Sequence, residues 1–525
     1  MKRIAVLALI LALMTTSVFA EDLIKKYNVS AYDTTDHVTF AINSTHSNSD
    51  MDYKGDNLYK TLSSLFNFEY DVWPVSKDSQ NEKLRVWINS GTMPDIVTWR
   101  NFDYQEYSIY AEQGLLGALP KGWEATYPNL FEMFKLTGLY EQMKMDDGLV
   151  YGIPHATFAR FSGMDTVVNH VTVYYRKDWA ESVGVSTYFE DGVVTLSELA
   201  EYNRLCIEKD VAGNGNTLGL CVDPEYMTEF FMLFSGTNYD TFQRGENGYE
   251  WCYSQESVLD AIKLANQWYN DGLIDPDFYL KPSADAIAGF NSGIGASMYH
   301  NCAISSYMGY KTTFSESTGL DSNEVMGIAV ISDDSGVTKA IQTANYWSAT
   351  FLKPNIQEAT LTRLLSLMDW FCTEEGQLTA VCGPWGEAWD YDGNGDVVML
   401  TQKDENGKYP GTADLYKSYN IFRSMGILPD DFSFVNPSND PLVVQDVFTM
   451  YAAKQTGDII PLDYDYEFFS SDNKANYSLK LEEEVTRLAI LQPGLDIRAE
   501  WQKFIDANKG IWQPVIDDLN AEFFK

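Results

Sequence analysis

Basic side chains are scarce in this sequence. It contains 37 Lys and Arg residues against 75 Asp and Glu, which gives a formal net charge of −38 at pH 7. A field of this sign repels phosphate backbones and anionic membrane surfaces, so nucleic-acid binding is excluded as a function. A polyanionic substrate is also disfavoured, unless a local basic pocket outweighs the mean charge.

Long apolar runs are absent after the N-terminal segment, which excludes a later transmembrane helix. The chain begins MKRIAVLALILALMTTSVFAED, with Lys2 and Arg3 before an apolar run at residues 4–14 that is too short to span a bilayer. Together with small residues at the cleavage position, this predicts a secretory signal peptide at residues 1–20, followed by a leader at 21–36. No cysteine lies near the cleavage position, so we expect a soluble exported protein, periplasmic or extracellular, without lipid attachment.

Common catalytic signatures are missing as well. The patterns HExxH, GxSxG and the P-loop do not occur, the five histidines have no metal or triad spacing, and the six cysteines form no C-x₂-C pair. We therefore expect no catalytic residue and no enzymatic activity. An even cysteine count in an exported chain permits disulfides. Cys206–Cys221 and Cys372–Cys382 would close short loops, and six buried thiols are the alternative.

Aromatic residues are abundant instead. The chain has 13 Trp, 33 Tyr and 28 Phe, which make up 14% of all residues. Aromatic rings pack against the apolar C–H faces of sugars, so this surplus favours carbohydrate recognition. Most of the rings are nonetheless expected in hydrophobic cores.

Strand-like and helix-like segments alternate near the start of the chain. Residues 37–44 (HVTFAINS), 68–75 (FEYDVWPV) and 95–99 (DIVTW) have strand patterns, whereas 57–66 (NLYKTLSSLF) and 80–89 have helical spacing. This alternation predicts an α/β protein with mixed, mainly parallel sheets, in which ligands bind beyond the carboxyl ends of strands. A chain of 525 residues exceeds the size of one hydrophobic core, so we expect two domains.

Several motifs occur in the order found in one protein family. They are SGTMPDIVTW (90–99), DGLVYGIP (147–154), YYRKDWAESVGV (174–185), NQWYNDGLIDPDF (266–278) and MDWFCTEEGQ (368–377). With these motifs the chain resembles the extracellular solute-binding proteins of ABC importers, in the large oligosaccharide-binding branch. It is most similar to alginate-binding and lipoprotein-type members.

The resemblance implies a two-lobed, periplasmic-binding-protein-like fold of type II, with a helix-rich C-terminal part. The N-terminal lobe is expected at residues 37–170 and 294–345. The C-terminal lobe, with its helical extension, is expected at 171–293 and 346–525. A hinge of two or three crossing segments would then lie near residues 170–175, 294–300 and 345–352.

The function implied by the resemblance is capture of a carbohydrate between two lobes by hinge closure, without turnover, and delivery to an ABC-transporter permease in the membrane. The expected ligand is an oligosaccharide, with acidic sugars left open, and the expected state is a monomer. The alternatives are an exported glycoside hydrolase, which needs two carboxylates across a cleft, and a sugar-sensing subunit of a signalling receptor.

One loop is similar to a calcium-binding loop of some family members. In DVAGNGNTLGL (210–220), Asp210, Asn214 and Asn216 keep side-chain oxygens at ligand positions, whereas Ala212 and Leu218 supply none. Because calcium requires six to eight oxygen ligands, we interpret the loop as a structural turn that has lost its ion.

A second loop fits the first half of an EF-hand. In DYDGNGD, Asp390, Asp392, Asn394 and Asp396 have the required spacing, but the twelfth position is Thr401 rather than Glu. A hairpin turn is the simpler interpretation. We therefore expect no cofactor, with calcium left open.

Candidate ligand-binding residues lie beside the expected crossings. Trp99 ends a strand, His300 and Asn301 follow another, and Tyr346 and Trp347 lie on the third crossing, where one ring should face the ligand. For each, ordinary packing in a core is the alternative.

Four further residues complete the candidate set. Trp385 and Trp389, in GPWGEAWD, would form a stacking platform or anchor a loop. Arg160 would be a rare positive group near the ligand and would make an acidic sugar credible. Glu229 is a weaker candidate, because a solvated carboxylate is the default on an acidic protein.

Overall fold

The computed structural model describes residues 24–45, 51–76, 79–100, 102–156, 166–213, 215–404, 409–425 and 436–524. The chain divides into unit 1, Met1–Gly163 with Ala344–Asn439, and unit 2, Met164–Thr343 with Asp440–Lys525. It therefore passes between the units three times, at residues 163/164, 343/344 and 439/440. The predicted signal peptide lies outside the described residues.

β-Branched and aromatic residues are frequent in the strands, where side chains pack on a pleated surface. In chain order, the strands are β1 (Val38–Ser44), β2 (Phe68–Pro74), β3 (Ile96–Arg100), β4 (Gly152–Ala156), β5 (Val171–Arg176), β6 (Val193–Thr195), β7 (Leu218–Cys221), β8 (Phe242–Arg244), β9 (Tyr249–Trp251), β10 (Gly295–Asn301), β11 (Met326–Ser332), β12 (Lys339–Ile341), β13 (Tyr346–Leu352), β14 (Trp389–Tyr391), β15 (Val397–Met399) and β16 (Asp458–Ile460).

The helices begin at side-chain caps in many cases; the carboxylate of Asp56, for example, accepts the Tyr59 N–H at the start of the first. In chain order, they are α1 (Asn57–Phe66), α2 (Gln80–Asn89), α3 (Tyr104–Glu112), α4 (Trp123–Thr126), α5 (Pro128–Leu136), α6 (Lys177–Val183), α7 (Leu196–Glu208), α8 (Pro224–Met232), α9 (Glu256–Asn270), α10 (Ser283–Asn291), α11 (Ile304–Thr318), α12 (Ser322–Val325), α13 (Glu358–Phe371), α14 (Glu374–Cys382), α15 (Thr412–Leu415), α16 (Tyr419–Ser424), α17 (Pro441–Lys454), α18 (Tyr464–Glu467), α19 (Asp472–Ala475), α20 (Leu481–Ala489), α21 (Ile497–Ala507) and α22 (Lys509–Phe523).

Unit 1 contains a five-stranded sheet in the order β2-β1-β3-β13-β4. β1 is parallel to β2 and β3, as expected for βαβ units. β13 comes from a distant part of the sequence and is antiparallel to both β3 and β4. The ends of β1 and β3 and the start of β13 therefore meet at one edge of the sheet.

Unit 2 contains a second five-stranded sheet, in the order β6-β11-β5-β10-β7. The central strand β5 is buried along its whole length, which explains its nearly continuous apolar and aromatic sequence. It is antiparallel to β10 and β11, while β7 and β6 pair in parallel with these two strands. Helix α20 packs against α8 and α9, so the helix-rich C-terminal part belongs to this core.

The structure corrects the predicted lobe boundaries. Strands β10 and β11, within residues 294–345, pair with β5 in unit 2 rather than with the N-terminal sheet. Strand β13, at the start of residues 346–525, pairs with β3 and β4 in unit 1. Most of 294–345 and the first part of 346–525, up to residue 439, are thus exchanged relative to the prediction, whereas residues 440–525 lie in unit 2. The exchange arises because strand partners distant in sequence are not specified by local pattern.

The predicted crossings and sheet type also need adjustment. The transitions at 163/164 and 343/344 lie close to two of the predicted crossings, whereas residues 294–300 lie within unit 2 and the transition at 439/440 was not predicted. Each five-stranded sheet is mixed, with two parallel and two antiparallel strand pairs, and so is not mainly parallel.

All six cysteines are buried free thiols, including the pairs considered for disulfides. Burial raises the pKa of Cys206 and of Cys382 to about 12. Within the described ranges, no helix combines the length and the apolar character needed to cross a membrane.

Candidate functional site

The carboxyl edge of the unit 1 sheet gathers aromatic and cationic side chains. Ser348 of β13 pairs with Arg100 at the end of β3, and Tyr346 pairs with Ala156 at the end of β4. Residues from three strands thus lie side by side at the edge where α/β proteins commonly bind ligands. We call Arg100, His155, Tyr346 and Trp347 the unit 1 edge.

Trp347 is the centre of the unit 1 edge. The guanidinium carbon of Arg100 lies 5.3 Å from the centroid of its ring, and the His155 ring lies 5.7 Å away at an angle of 65°. The neighbouring Tyr346 ring lies 5.2 Å from Phe102. Trp347 is partly exposed, and its indole N–H has no acceptor among the described residues. This N–H is itself buried, so it is an unsatisfied donor within the unit 1 edge.

His155 packs against Trp347 and is a neutral ring. The Thr350 hydroxyl donates to the Met425 carbonyl at 2.9 Å, so it accepts the Nε2 proton of His155 at 2.8 Å. Nδ1 then accepts from the Ser348 hydroxyl. Burial lowers the pKa of His155 to about 3, which agrees with this uncharged state.

Trp99 lies in the core instead of at the edge. Its side chain is 1% exposed, and its ring packs against Tyr110 at 6.0 Å and Phe351 at 5.8 Å. The structure therefore places Trp99 in the hydrophobic core, which was the alternative to ligand contact. The next residue, Arg100, occupies the edge and was missed in the sequence, although its position directly after a strand pattern is a usable signal.

Trp385 and Trp389 anchor a loop of unit 1. Their rings stack at 5.2 Å with an angle of 13°, and Trp389 is fully buried, donating to the Gly383 carbonyl at 2.9 Å. The Trp385 indole donates to Asp390 at 2.8 Å, and the Lys26 ammonium lies 5.0 Å from its ring. These contacts match the loop-anchor alternative. Arg160 lies outside the described residues.

The unit 2 sheet has a comparable edge, where β10 ends beside the start of β5. The His300 ring lies 4.0 Å from that of Tyr226. Its Nδ1 accepts the Asn301 N–H at 2.8 Å, so Nε2 carries the proton and donates to Ser283 at 2.8 Å. Burial lowers the pKa of His300 to about 4, so the ring is neutral at physiological pH.

Asn301 is held in place at the same edge. Its Oδ1 accepts the Ala303 N–H at 2.8 Å, and its amide nitrogen donates to Nε2 of His170 at 2.9 Å. Burial and the positive charge of Lys454 lower the pKa of His170 to about 4. His300 and Asn301 therefore lie at the end of β10 with most of their hydrogen-bonding atoms already partnered, and their contact with a ligand stays a prediction.

Glu229 lies on helix α8 and is more constrained than its sequence suggested. Its Oε1 accepts from the Asn169 amide and from the Tyr299 hydroxyl, the latter at 3.3 Å. Burial raises the pKa of Glu229, while the Asn169 hydrogen bond and the charge of Lys454 oppose this effect. We call Glu229, Tyr226, His300 and Asn301 the unit 2 edge.

In the two calcium-like loops, carboxylate oxygens accept hydrogen bonds from groups of the loop itself. Both Asp210 oxygens are used within the turn: Oδ2 accepts the Gly215 N–H at 2.7 Å, and Oδ1 accepts the Thr217 hydroxyl at 2.8 Å. Asn216 is exposed, and Asn214 lies outside the described residues. No group of three or more His, Cys, Asp or Glu residues suited to a metal ion occurs in the described part of the chain.

The second loop is the hairpin between β14 and β15, as the sequence predicted. Asp390 Oδ1 accepts from the Trp385 indole and from the Tyr391 N–H, each at 2.8 Å. Asp392 Oδ1 accepts the N–H groups of Asn394 at 2.8 Å and Asp396 at 3.0 Å, and these bonds lower its pKa. The carboxylates thus stabilise the turn.

The mixed sheets and the three crossings of the chain give the two-lobed fold of the solute-binding proteins of ABC transporters. The alginate-binding protein AlgQ2 matches with a TM-score of 0.64 and 15% identity, over 94% of this chain and 100% of AlgQ2. FusA of S. pneumoniae, solved with kestose, has a TM-score of 0.64 and 16% identity, over 91% of this chain and 96% of FusA. NgtS of Streptococcus pneumoniae, solved with Man1GlcNAc, has a TM-score of 0.56 and 12% identity, over 92% and 98% of the two chains.

Sequence comparison adds a more limited likeness. Lipoprotein LipO of Bacillus subtilis (strain 168) is 26% identical over 242 residues, which cover 43% of this chain and 42% of LipO. The alignment therefore spans less than half of that relative. No protein-family profile matches the chain. One further FusA structure is of an EF-hand mutant in complex with fructo-nystose.

Proposed function

We propose that this protein is the substrate-binding protein of an ABC importer and captures an oligosaccharide without chemically changing it. The observation that carries the proposal is the fold, because it matches proteins solved with kestose and Man1GlcNAc, and one named alginate-binding, over more than nine-tenths of the chain. The aromatic and polar groups at the two sheet edges are the chemistry that sugar recognition requires.

The two edges make different contributions to this binding. At the unit 1 edge, the partly exposed rings of Tyr346 and Trp347 supply flat surfaces for sugar C–H faces, and Arg100 adds a cation beside them. At the unit 2 edge, Glu229 and Asn301 supply hydrogen-bonding atoms for hydroxyl groups. Trp99 and Trp389 belong to the core and are left out of the proposed site.

The cellular setting follows from the same proposal. The protein is exported through its signal peptide, acts as a monomer outside the cytoplasm, and hands the saccharide to permease subunits. We expect its Asp210 loop to keep its shape without calcium, since a backbone donor and a hydroxyl donor bond to the carboxylate. A sugar-sensing role with a signalling receptor uses the same binding chemistry and differs only in the membrane partner.

Binding without turnover is tested with the purified full chain and a panel of neutral, uronate-containing and amino-sugar oligosaccharides. Thermal shift and the release of reducing ends are recorded on the same samples. We expect at least one saccharide to raise the melting temperature, with no new reducing ends. Catalytic release of reducing ends would instead establish the glycoside-hydrolase alternative, and no stabilisation by any saccharide would contradict carbohydrate capture.

A further inference from the structure

Lys454 is a buried ammonium that the proposed binding role does not explain. Its side chain is 2% exposed, and it donates to the carbonyl groups of Asn169 at 2.8 Å and Val171 at 2.5 Å. A third hydrogen bond, at 2.9 Å, goes to Oδ1 of the Asn169 side chain. All three ammonium protons are therefore used, as a buried cation requires.

Asn169 links this cation to the carboxylate of Glu229. Its Oδ1 accepts from Lys454, and its amide nitrogen donates to Oε1 of Glu229. An ammonium can only donate and a carboxylate can only accept, so the bridging group must supply both an acceptor and a donor. An asparagine amide does so, whereas Asp or Leu at this position cannot. Asn169 itself is 7% exposed, so the bridge lies in a weakly screened environment.

The bridge is tied to the chain segments that enter and leave unit 2. The Asn169 N–H donates to the Ile341 carbonyl at 2.9 Å, shortly before the transition at 343/344. Gln455, next to Lys454, donates to the Thr166 carbonyl at 2.8 Å, shortly after the transition at 163/164. The segments next to the crossings at 163/164 and 343/344 are thus linked to the C-terminal end of α17, the helix that follows the crossing at 439/440.

The second carboxylate oxygen of Glu229 is left for a ligand. Both donors, Asn169 and Tyr299, bond to Oε1, and none of the described residues donates to Oε2. Glu229 is partly exposed, and it lies one helical turn after Tyr226, whose ring contacts that of His300 at a tilt of 39°. A carboxylate oxygen in this position accepts hydrogen bonds from hydroxyl or protonated amine groups.

We propose that Asn169 and Lys454 are positioning residues that hold Glu229 ionised and turn its Oε2 toward the saccharide. This inference rests on the proposed function. It also specifies the ligand: the sugar unit at the unit 2 edge is uncharged or carries an amine, and a uronate carboxylate is rejected there. The rejection follows because a second carboxylate would lie against an acceptor that has no proton to share.

The charges around Glu229 support the same selectivity. Burial and the nearby Asp223 raise the pKa of Glu225, which is on the same helix as Glu229. Burial raises the pKa of Glu482 on α20, and Glu225 and Asp223 add to this effect. The titratable groups that influence Glu229, or that Glu229 influences, are Glu225, Tyr226, Tyr239, Tyr299 and Lys454. Lys454 is the cation among them, so its removal changes the titration of Glu229.

The test measures saccharide affinity as a function of pH for the full chain and its variants. In wild type, binding should weaken as pH falls and Glu229 takes up a proton. Lys454→Met removes the opposing cation and raises the pKa of Glu229, so the midpoint of this loss should move up by about one pH unit or more. Asn169→Asp should lower the affinity by about tenfold or more, because two carboxylates then face each other.

Three controls separate positioning from folding. Glu208→Gln replaces an exposed carboxylate elsewhere in unit 2 and should leave both affinity and pH profile unchanged. Glu229→Gln should bind the saccharide weakly, and its affinity should show no midpoint as pH falls, because the titrating carboxylate is absent. Lys454→Met combined with Glu229→Gln removes both charges, so it should fold even if the single Lys454 variant does not, and it should bind as weakly as Glu229→Gln.

The possible outcomes are distinguishable. If wild type binds a saccharide but Lys454→Met keeps the wild-type pH midpoint, the positioning role is wrong and the proposed function stands. If the single variant does not fold and the double variant binds as tightly as wild type, Glu229 has no role and the inference fails. If wild type binds uronate chains in preference to neutral ones, the assigned ligand class is wrong. If no saccharide binds wild type, the proposed function fails as well.

Discussion

Trp347 and Arg100 show how two residues make one surface at the unit 1 edge. The guanidinium lies over one ring, and the indole N–H has no acceptor within the described residues. Stacking of a sugar on the exposed part of the Trp347 ring is available. The sequence predicted that one ring of the pair Tyr346 and Trp347 faces the ligand. We propose that Arg100 belongs to the same binding surface.

Replacing Trp347 tests this surface. We expect Trp347→Ala to weaken saccharide binding by about tenfold, or roughly 1.4 kcal/mol, because a stacking face is lost. Isothermal titration calorimetry measures the effect. Trp385→Ala is the matched control, since this partly exposed tryptophan anchors a loop and should leave affinity unchanged. Equal losses in the two variants would contradict the assignment.

Burial of a neutral histidine predicts how stability depends on pH. The folded state lowers the pKa of His155 to about 3, so the unfolded chain binds its proton first as pH falls. This contribution to stability is complete above the unfolded pKa of about 6.5 and is lost progressively toward the folded pKa. At about pH 5 the loss is on the order of 2 kcal/mol.

His155→Gln therefore changes the slope of stability with pH. Between about pH 6.5 and 4, the free energy of unfolding of the variant, measured by urea denaturation, should fall less steeply with pH than that of wild type. The difference in slope is about 1.4 kcal/mol per pH unit, which corresponds to one proton. The variant should be less stable than wild type at neutral pH, since its contacts with Ser348 and Thr350 are altered. Parallel stability curves for the two proteins would exclude a neutral buried imidazole.

Single secondary-structure elements were well predicted wherever local pattern determines them. The helix predicted at 57–66 is α1, and the strand predicted at 37–44 is β1 apart from its first residue. In β3, however, Ile96 to Trp99 are all buried, so alternation could not show that Trp99 faces the core and that the edge begins at Arg100.

The Asp210 loop gives a prediction for one element. Because the carboxylate accepts from Gly215 and Thr217, Asp210→Ala should lower the stability of unit 2 by about 1–2 kcal/mol with or without calcium. Differential scanning fluorimetry in calcium chloride and in EDTA should give the same melting temperature for wild type. Asn216→Ala is the control, since this residue is exposed and should have little effect. A calcium-dependent rise that either variant abolishes would show that the loop binds the ion.

For the whole molecule, three crossings of the chain predict domain closure on binding. We expect a saccharide that stabilises the protein to reduce its radius of gyration in small-angle X-ray scattering, because contacts from both units favour the closed state. A saccharide that gives no thermal shift serves as the control and should leave the scattering unchanged. An unchanged radius of gyration at saturating ligand would mean that binding needs no hinge motion.

The sequence by itself determined the α/β class, most local elements and the acidic composition, because composition and periodicity are local properties. The likeness to solute-binding proteins came from the resemblance of its motifs to those of that family. Tertiary structure decided which sheet received β10, β11 and β13, since these partners are joined by hydrogen bonds between residues far apart in the chain. It also decided the bridge from Lys454 through Asn169 to Glu229. No local pattern encodes such a bridge, because a buried charge is tolerated only where folding brings its partners to it.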